Sequence, residues 1–218
     1  MIPVLIVPVL SRTDLLYEML GSIDERVDIL AVIDNGGHVS RHRMTEINRD
    51  HIGARYVWKM PRNLGVPTSW NLGIKATPFA PWWMVANFDV TFHAGALAGF
   101  AAESGPDRVV LSAASSAWCV FTVGENVITR VGLFDEGLHP AYFEDADYLR
   151  RCKAHGVDIL ASGILVDHKT SSTLESGYQD HNARTFGANS RRYNERRDTN
   201  DLTSGEWSLA TRRALTWD

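Results

Sequence analysis

The sequence predicts an α/β fold, a mixed and mostly parallel sheet flanked by helices, on three observations. Short continuous β-branched runs alternate with stretches of helical spacing. The runs end in polar or glycine-bearing turns. The length of 218 residues fits about one core at roughly 150 residues per domain.

The first run, Pro3 to Pro8, has no polar face and reads as a strand buried on both sides. Ser11 and Thr13 offer N-caps to a helix through Leu15, Leu16, Met19 and Leu20, which Gly21 can end. Residues 27–33 repeat the strand pattern and stop at Asp34-Asn35-Gly36-Gly37, giving a βαβ unit with a polar loop at the strand's carboxyl end. A third strand, 54–60, leads into Pro61-Arg62-Asn63-Leu64-Gly65. Pro67, Thr68 and Ser69 then open a helix carrying Val66, Trp70 and Ile74. Residues 81–86 form a fourth buried strand running into Asn87-Phe88-Asp89, and an Ala-rich helix follows from His93 to about Glu103. Residues 108–113 and 118–123 read as strands, 127–131 as a short helix, and the stretch from Glu144 to before Gly156 as a longer one. Residues 157–161 and 164–166 are short late strands. From about Ser171 apolar residues thin out, with weak helical spacing only around 181–193. The expected organisation is a core over 1–170 and a polar, helical extension over 171–218 packing on the same domain.

Composition excludes several classes. With 44% hydrophobic and 22% charged residues, the chain is balanced as a soluble globular protein and not as a disordered one. Lys+Arg 22 against Asp+Glu 26 gives 22 − 26 = −4, which argues against nucleic acid as a partner. The apolar start, Ile2 to Leu10, is far shorter than the ~20 residues of a spanning helix, and no basic segment precedes it, so a cytoplasmic protein without a transmembrane segment is expected. Cys119 and Cys152 lack metal or redox spacing and read as reduced core thiols. Oligomeric state is not legible.

Phosphate-cradling signatures, GxxxxGK[ST] and GxGxxG after the first strand, are missing. The strand ends carry acids and amides instead: Asp34-Asn35, Asn63, Asn87 with Asp89, Glu144-Asp145 with Asp147, and His168. Such a set suits a divalent cation.

In this order the landmarks resemble glycosyltransferase family 2, nucleotide-sugar transferases of the GT-A fold. They are Pro8 with Asp14, Asp34-Asn35-Gly36, Asn63-x-Gly65 with Asn71-x-Gly73, Asn87-x-Asp89, Gly132-Leu-Phe-Asp-Glu136, Glu144-Asp145-x-Asp147 and His168. The series covers residues 3 to 170, and its order is more specific than any member. Asn87 departs from the first carboxylate of the family's DxD motif, as in members that transfer rhamnose-like sugars.

The resemblance implies an inverting transfer from a UDP- or TDP-sugar to an acceptor hydroxyl, assisted by Mn²⁺ or Mg²⁺. The acceptor is a glycan, a protein or another hydroxyl-bearing molecule. On the donor side it implies Pro8, Asp34, Asn35, Arg62, Asn63, Asn87 and Asp89, with Asp34 reading the base through an imide N–H. It assigns the metal to Asp89 and His168, the base catalyst to Asp145 with Glu144 beside it, and the acceptor side to Tyr142, Phe143 and Asp147. The cation's use is to offset the charge that grows on a departing nucleoside diphosphate.

The residues alone also allow plainer roles. Asp34-Asn35-Gly36 can be a turn that satisfies its own backbone, and Asp89 can cap the next helix. The acids at 144–147 can favour the first turn of a helix by ~0.3–1 kcal/mol each, with Asp147 pairing Arg151 at i,i+4. Gly65 and Gly73 relieve close packing. Trp70, Trp82 and Trp83 are core. Arg184, Arg191, Arg192, Arg196 and Arg197 form a solvated basic face or meet phosphate. The competing reading of the whole is a catalytically inactive GT-A-like protein that binds a nucleotide sugar or glycan; a metal-dependent phosphoesterase is a third.

Overall fold

The computed structural model describes residues 1–169 and 179–204; the last residue of the expected core, 170, and the parts of the expected extension at 171–178 and 205–218 lie outside the described residues. The strands β1 (Ile2–Val9), β2 (Val27–Asp34), β3 (Ile52–Lys59) and β4 (Trp82–Ala86) alternate with α1 (Thr13–Gly21), α2 (Arg41–Glu46) and α3 (Val66–Ala76). Then follow β5 (Val90–Phe92), α4 (Ala96–Glu103), β6 (Arg108–Leu111), β7 (Val120–Gly124), α5 (Glu125–Val131), α6 (Glu144–Ala154), β8 (Asp158–Ala161), β9 (Val166–His168) and α7 (Gln179–Asp198).

Seven strands make one sheet in the order β3-β2-β1-β4-β7-β6-β8. All neighbours pair parallel except β7, which runs antiparallel to both β4 and β6. The mixed, mostly parallel α/β architecture expected from the alternation is therefore present. Its topology sets the site: the carboxyl ends of β1, β2, β3 and β4 and the amino end of β7 share one edge, where loops of open α/β sheets gather ligands.

β1 is buried almost throughout, because helices cover both faces. One apolar layer holds Leu5, Val7, Leu16, Met19 and Phe100, and the other holds Ile6, Trp70, Trp83, Phe121, Phe134 and Tyr148. Trp70, Trp82 and Trp83 are at most 7% exposed and are core, as expected. Cys119 and Cys152 are buried free thiols, and burial pushes Cys152 up to about 12. Gly73 lies so close to the Ile6 side chain (2.6 Å from a Cβ built there) that a larger residue would separate α3 from β1.

Several local expectations change. Neither Ser11 nor Thr13 caps α1; Arg12 stands at the N-cap with φ 48° and makes no capping bond there. Its guanidinium reaches Asp14 at 2.8 Å instead and holds that carboxyl below its ordinary value. The helix α2 carries no apolar period, and Ser40 caps it by accepting from Arg43 N–H. Trp118 sits in a 3₁₀ turn (Ala117–Cys119), so β7 starts later than expected. The last strand is shifted from 164–166 to Val166–His168, because its register is set by antiparallel pairing with β5, a three-residue strand without its own period.

Candidate functional site

Asn87 and Asp89 follow β4 at the carboxyl edge, and β9 brings His168 opposite Val90. His168 Nε2 lies 3.3 Å from Asp89 Oδ1 and 3.4 Å from Asn87 Nδ2. Both the Asp89 and His168 side chains are nearly enclosed, at 8% and 12% exposure. Lys169 N–H donates to the Asp89 carbonyl at 3.0 Å, so the two chain segments are also locked through the backbone.

Metal–donor bonds of about 2.1 Å at right angles place neighbouring donors about 3 Å apart, so this carboxylate–imidazole pair fits one divalent ion, while Asn87 turns its NH2 nitrogen, which is not a metal ligand, toward the imidazole. A mixed nitrogen and oxygen set suits Mn²⁺ better than Mg²⁺. Two features weaken its hold. Among the described residues no group of three or more His, Cys, Asp and Glu side chains is gathered. His168 Nδ1 is buried without a hydrogen-bond partner, so freeing Nε2 for an ion would place an N–H where no acceptor meets it. The donor set fits an ion whose remaining ligands come with a substrate.

At the end of β2, the Asp34 carboxylate is 1% exposed and accepts from His38 N–H (3.2 Å) and Val39 N–H (2.9 Å). These bonds hold the turn. Asn35 is equally engaged: its Nδ2 donates to Ser69 Oγ at 3.0 Å and its Oδ1 accepts from Leu64 N–H at 3.0 Å, tying this loop to the start of α3. Pro8 is buried within β1, in register with Ile33. Arg62 is exposed and Asn63 half-buried just beyond β3, with Asn63 Oδ1 accepting from Gly65 N–H at 2.9 Å.

The segment before α6 rests on this same edge. Val66 N–H, at the start of α3, donates to Pro140 O at 2.6 Å, and His139 Nε2 approaches Asn63 O at 3.3 Å. Gly65 has φ 78° and a Cβ there would lie 2.8 Å from Pro140 O, so only glycine fits. Asn71 secures the approach further back, accepting from Phe134 N–H at 3.0 Å and donating to Glu136 Oε1 at 2.9 Å. Through these contacts α6 begins beside the loop that follows β3.

At that start Tyr142 and Phe143 both have positive φ, 79° and 72°. Glu144 follows, 8% exposed, with Oε2 buried and lacking a hydrogen-bond partner. Burial first, and the charge of Asp145 second, push its carboxyl up to about 8 against the pull of main-chain N–H groups. Asp145 is partly exposed and its Oδ1 accepts from Ala146 N–H at 2.7 Å.

Asp147 corrects an expectation. It is 0% exposed and turned inward, 2.8 Å from Arg151 Nε and 2.9 Å from Arg150 Nη2. Arg151, also 0% exposed, donates to Val131 O and Leu133 O at 3.0 and 2.9 Å. An acceptor molecule cannot reach this carboxylate; the i,i+4 ion pair is its role.

Sequence reasoning also missed what α7 does. Arg192 donates to both oxygens of Asp135 at 2.8 and 2.9 Å. Arg196 lies 3.5 Å from Asp135 and 3.4 Å from Asp147. Burial works against the Asp135 charge, but Arg192 and Gly137 N–H outweigh it and hold that carboxyl below its ordinary value. These two arginines are consumed by internal acids, so the basic face is neither wholly solvated nor free for phosphate. The spacing 186, 189, 193 was the available signal: one helix face bearing Phe, Asn and Tyr.

No protein-family model matches the chain, and no curated protein matches it in sequence. Solved structures match in fold. A crystal structure of S. aureus TarS 1-349 is similar over 76% of this chain and 60% of that one, with 15% identity and a TM-score of 0.57. A complex of the same TarS fragment with UDP-GlcNAc gives 79% and 61%, 14% identity and a TM-score of 0.54. GalNAc-T7 with UDP, GalNAc and Mn²⁺ gives 72% and 41%, 9% identity and 0.54. The inositol-1-phosphate CTP transferase of T. maritima gives 79% and 91%, 13% identity and 0.51. The chain has a GT-A-like fold and spans about 60% of the length of TarS 1-349.

Proposed function

We propose that the protein is a glycosyltransferase that moves a sugar from a UDP- or TDP-linked donor to an acceptor hydroxyl with inversion. The observation that carries this reading is the meeting of Asp89, His168 and Asn87 at the carboxyl edge of a GT-A-like sheet whose neighbours include structures holding UDP and UDP-GlcNAc.

Asp89 and His168 would hold Mn²⁺ or Mg²⁺, a cation that would supply compensation for the charge on the leaving diphosphate, and Asn87 would meet the donor through its amide. Arg62 and Asn63 flank the diphosphate from the loop after β3. Asp34 and Asn35 shape the base-side loop from beneath. Asp145 accepts the proton of the acceptor hydroxyl; that oxygen forms the new bond to the anomeric carbon, and the carbon–oxygen bond to the diphosphate breaks with its electron pair on the leaving group. Tyr142 and Phe143 line the acceptor side, and the acceptor is a glycan, a protein or another hydroxyl-bearing molecule.

A second reading, nucleotide-sugar binding without turnover, is favoured by Asn87 in place of a carboxylate and by the unpartnered Nδ1 of His168. A melting-temperature screen with UDP, TDP, GDP and CDP, with and without Mn²⁺, tests the donor class, since a ligand at 100 times its Kd adds ~2.7 kcal/mol. A shift with UDP or TDP that requires Mn²⁺ is expected; no shift with any diphosphate overturns both readings. Release of diphosphate from the cognate nucleotide sugar separates the transferase from the binder.

A further inference from the structure

Two consecutive residues with side chains, Tyr142 and Phe143, hold left-handed backbone conformations immediately before Glu144 and Asp145. Such conformations are strained for residues with side chains and persist only where the surroundings over-determine them. On one side the surroundings are α3, through Pro140 O and Gly65. On the other side they are one face of α7. Asn189, 3% exposed, donates from Nδ2 to Ala141 O at 2.7 Å. The Phe143 ring stacks on Tyr193 (5.5 Å between centroids, 24°) and meets Phe186 at a tilt (5.1 Å, 51°), and Phe186 also meets Tyr142 at 5.4 Å. Arg192 fixes the same face to Asp135, with its guanidinium packed against Gly137.

We infer that α7 is a positioning element, in which Asn189, Phe186 and Tyr193 hold the 141–143 turn and thereby set where the Glu144-Asp145 pair stands. This deepens the glycosyltransferase reading by giving the acceptor side a brace from far along the chain; the brace itself is independent of which donor binds. The physical reason is that Phe143 is the N-cap residue of α6 and has no side-chain capping bond. The N-cap position itself therefore supplies no side-chain bond to the first turn of α6, and the ring contacts from α7 and one buried amide add to the bonds within that turn. Glu144, the next residue, is 8% exposed with its carboxyl raised by burial, so loosening of the turn would admit water to it.

The test uses the full chain with Asn189→Ala, Tyr193→Ala and Asn189→Gln, which restores an amide donor. Amide hydrogen exchange over residues 141–146 is expected to quicken about tenfold or more in the two alanine variants, with β1 to β4 unchanged, and to slow again in Asn189→Gln. The Glu144 carboxyl, followed by carbon NMR, is expected to titrate near 8 in the parent and toward 4.5 in Asn189→Ala. If UDP-sugar turnover is present, kcat falls while the donor KM holds. Unchanged exchange and an unchanged Glu144 midpoint in both alanine variants overturn the inference, as does loosening spread evenly over the sheet. If the parent binds no nucleotide diphosphate, the functional reading fails while the exchange and titration results still decide the brace.

Discussion

His168 Nε2 stands 3.3 Å from Asp89 Oδ1, though the two residues come from the end of β9 and the loop after β4. Removing either should erase the Mn²⁺-dependent part of the UDP melting shift. His168→Ala and Asp89→Asn are each expected to leave the melting temperature without ligand within a few degrees, since both groups lie at the edge outside the apolar layers. Titration calorimetry of UDP with and without Mn²⁺ reads the difference.

Asp145→Asn should separate chemistry from binding. A positioned base is worth ~10²–10⁴ in rate, so turnover falls by that factor while UDP affinity and stability hold. A matched loss of UDP affinity would move Asp145 from the acceptor side to the donor side. Single-turnover assays alongside UDP calorimetry distinguish these outcomes.

Asp147→Ala should behave in the opposite way. It leaves Arg151 buried without its partner, and breaking a buried pair from one side costs about 3–5 kcal/mol. Urea denaturation is expected to show that loss at pH 7. Joint replacement, Asp147→Leu with Arg151→Met, should recover part of it, because the fully buried Arg151 charge is gone while Arg150, 16% exposed and still donating to Asp201 O, loses its carboxylate partner.

Glu144 gives a pH signature. Its carboxyl is near 4.5 when solvated and about 8 in the fold, so the folded state binds the extra proton between those limits. Stability from this group is therefore full below about pH 4.5 and declines as pH rises toward 8, by about 1.4 kcal/mol per unit at most. Glu144→Gln removes that decline. Denaturation curves of parent and variant should diverge upward from pH 5, with the variant more stable at pH 9.

The alternation of strands and helices was legible because the periods that encode it are local. The strand-end acids and amides were legible too, since the turns that carry them interrupt apolar runs. The roles of Asp34, Asn35 and Asp147 were not decided by sequence, because each depends on what approaches from elsewhere. The pairing of Asp147 with Arg151 follows from i,i+4 spacing, yet its complete burial is set by the carbonyls of Val131 and Leu133. Asn189 and Arg192 were illegible as site supports for the same reason: their partners, Ala141 and Asp135, are some fifty positions away in a loop with no repeating pattern.

The short ladder between β5 and β9 pairs Val90 with His168 and Thr91 with Asp167. Successive side chains in such a ladder point to opposite faces, and Asp167 accordingly faces outward at 72% exposure. Adding or deleting a single amino acid between Ala161 and Val166 would slide this ribbon by one notch and present a carboxylate or an ammonium where the imidazole belongs. Natural variants of this chain should therefore tolerate changes of identity in that connector far more readily than changes of its length, which acts as a ruler for the ion-facing side of the fold.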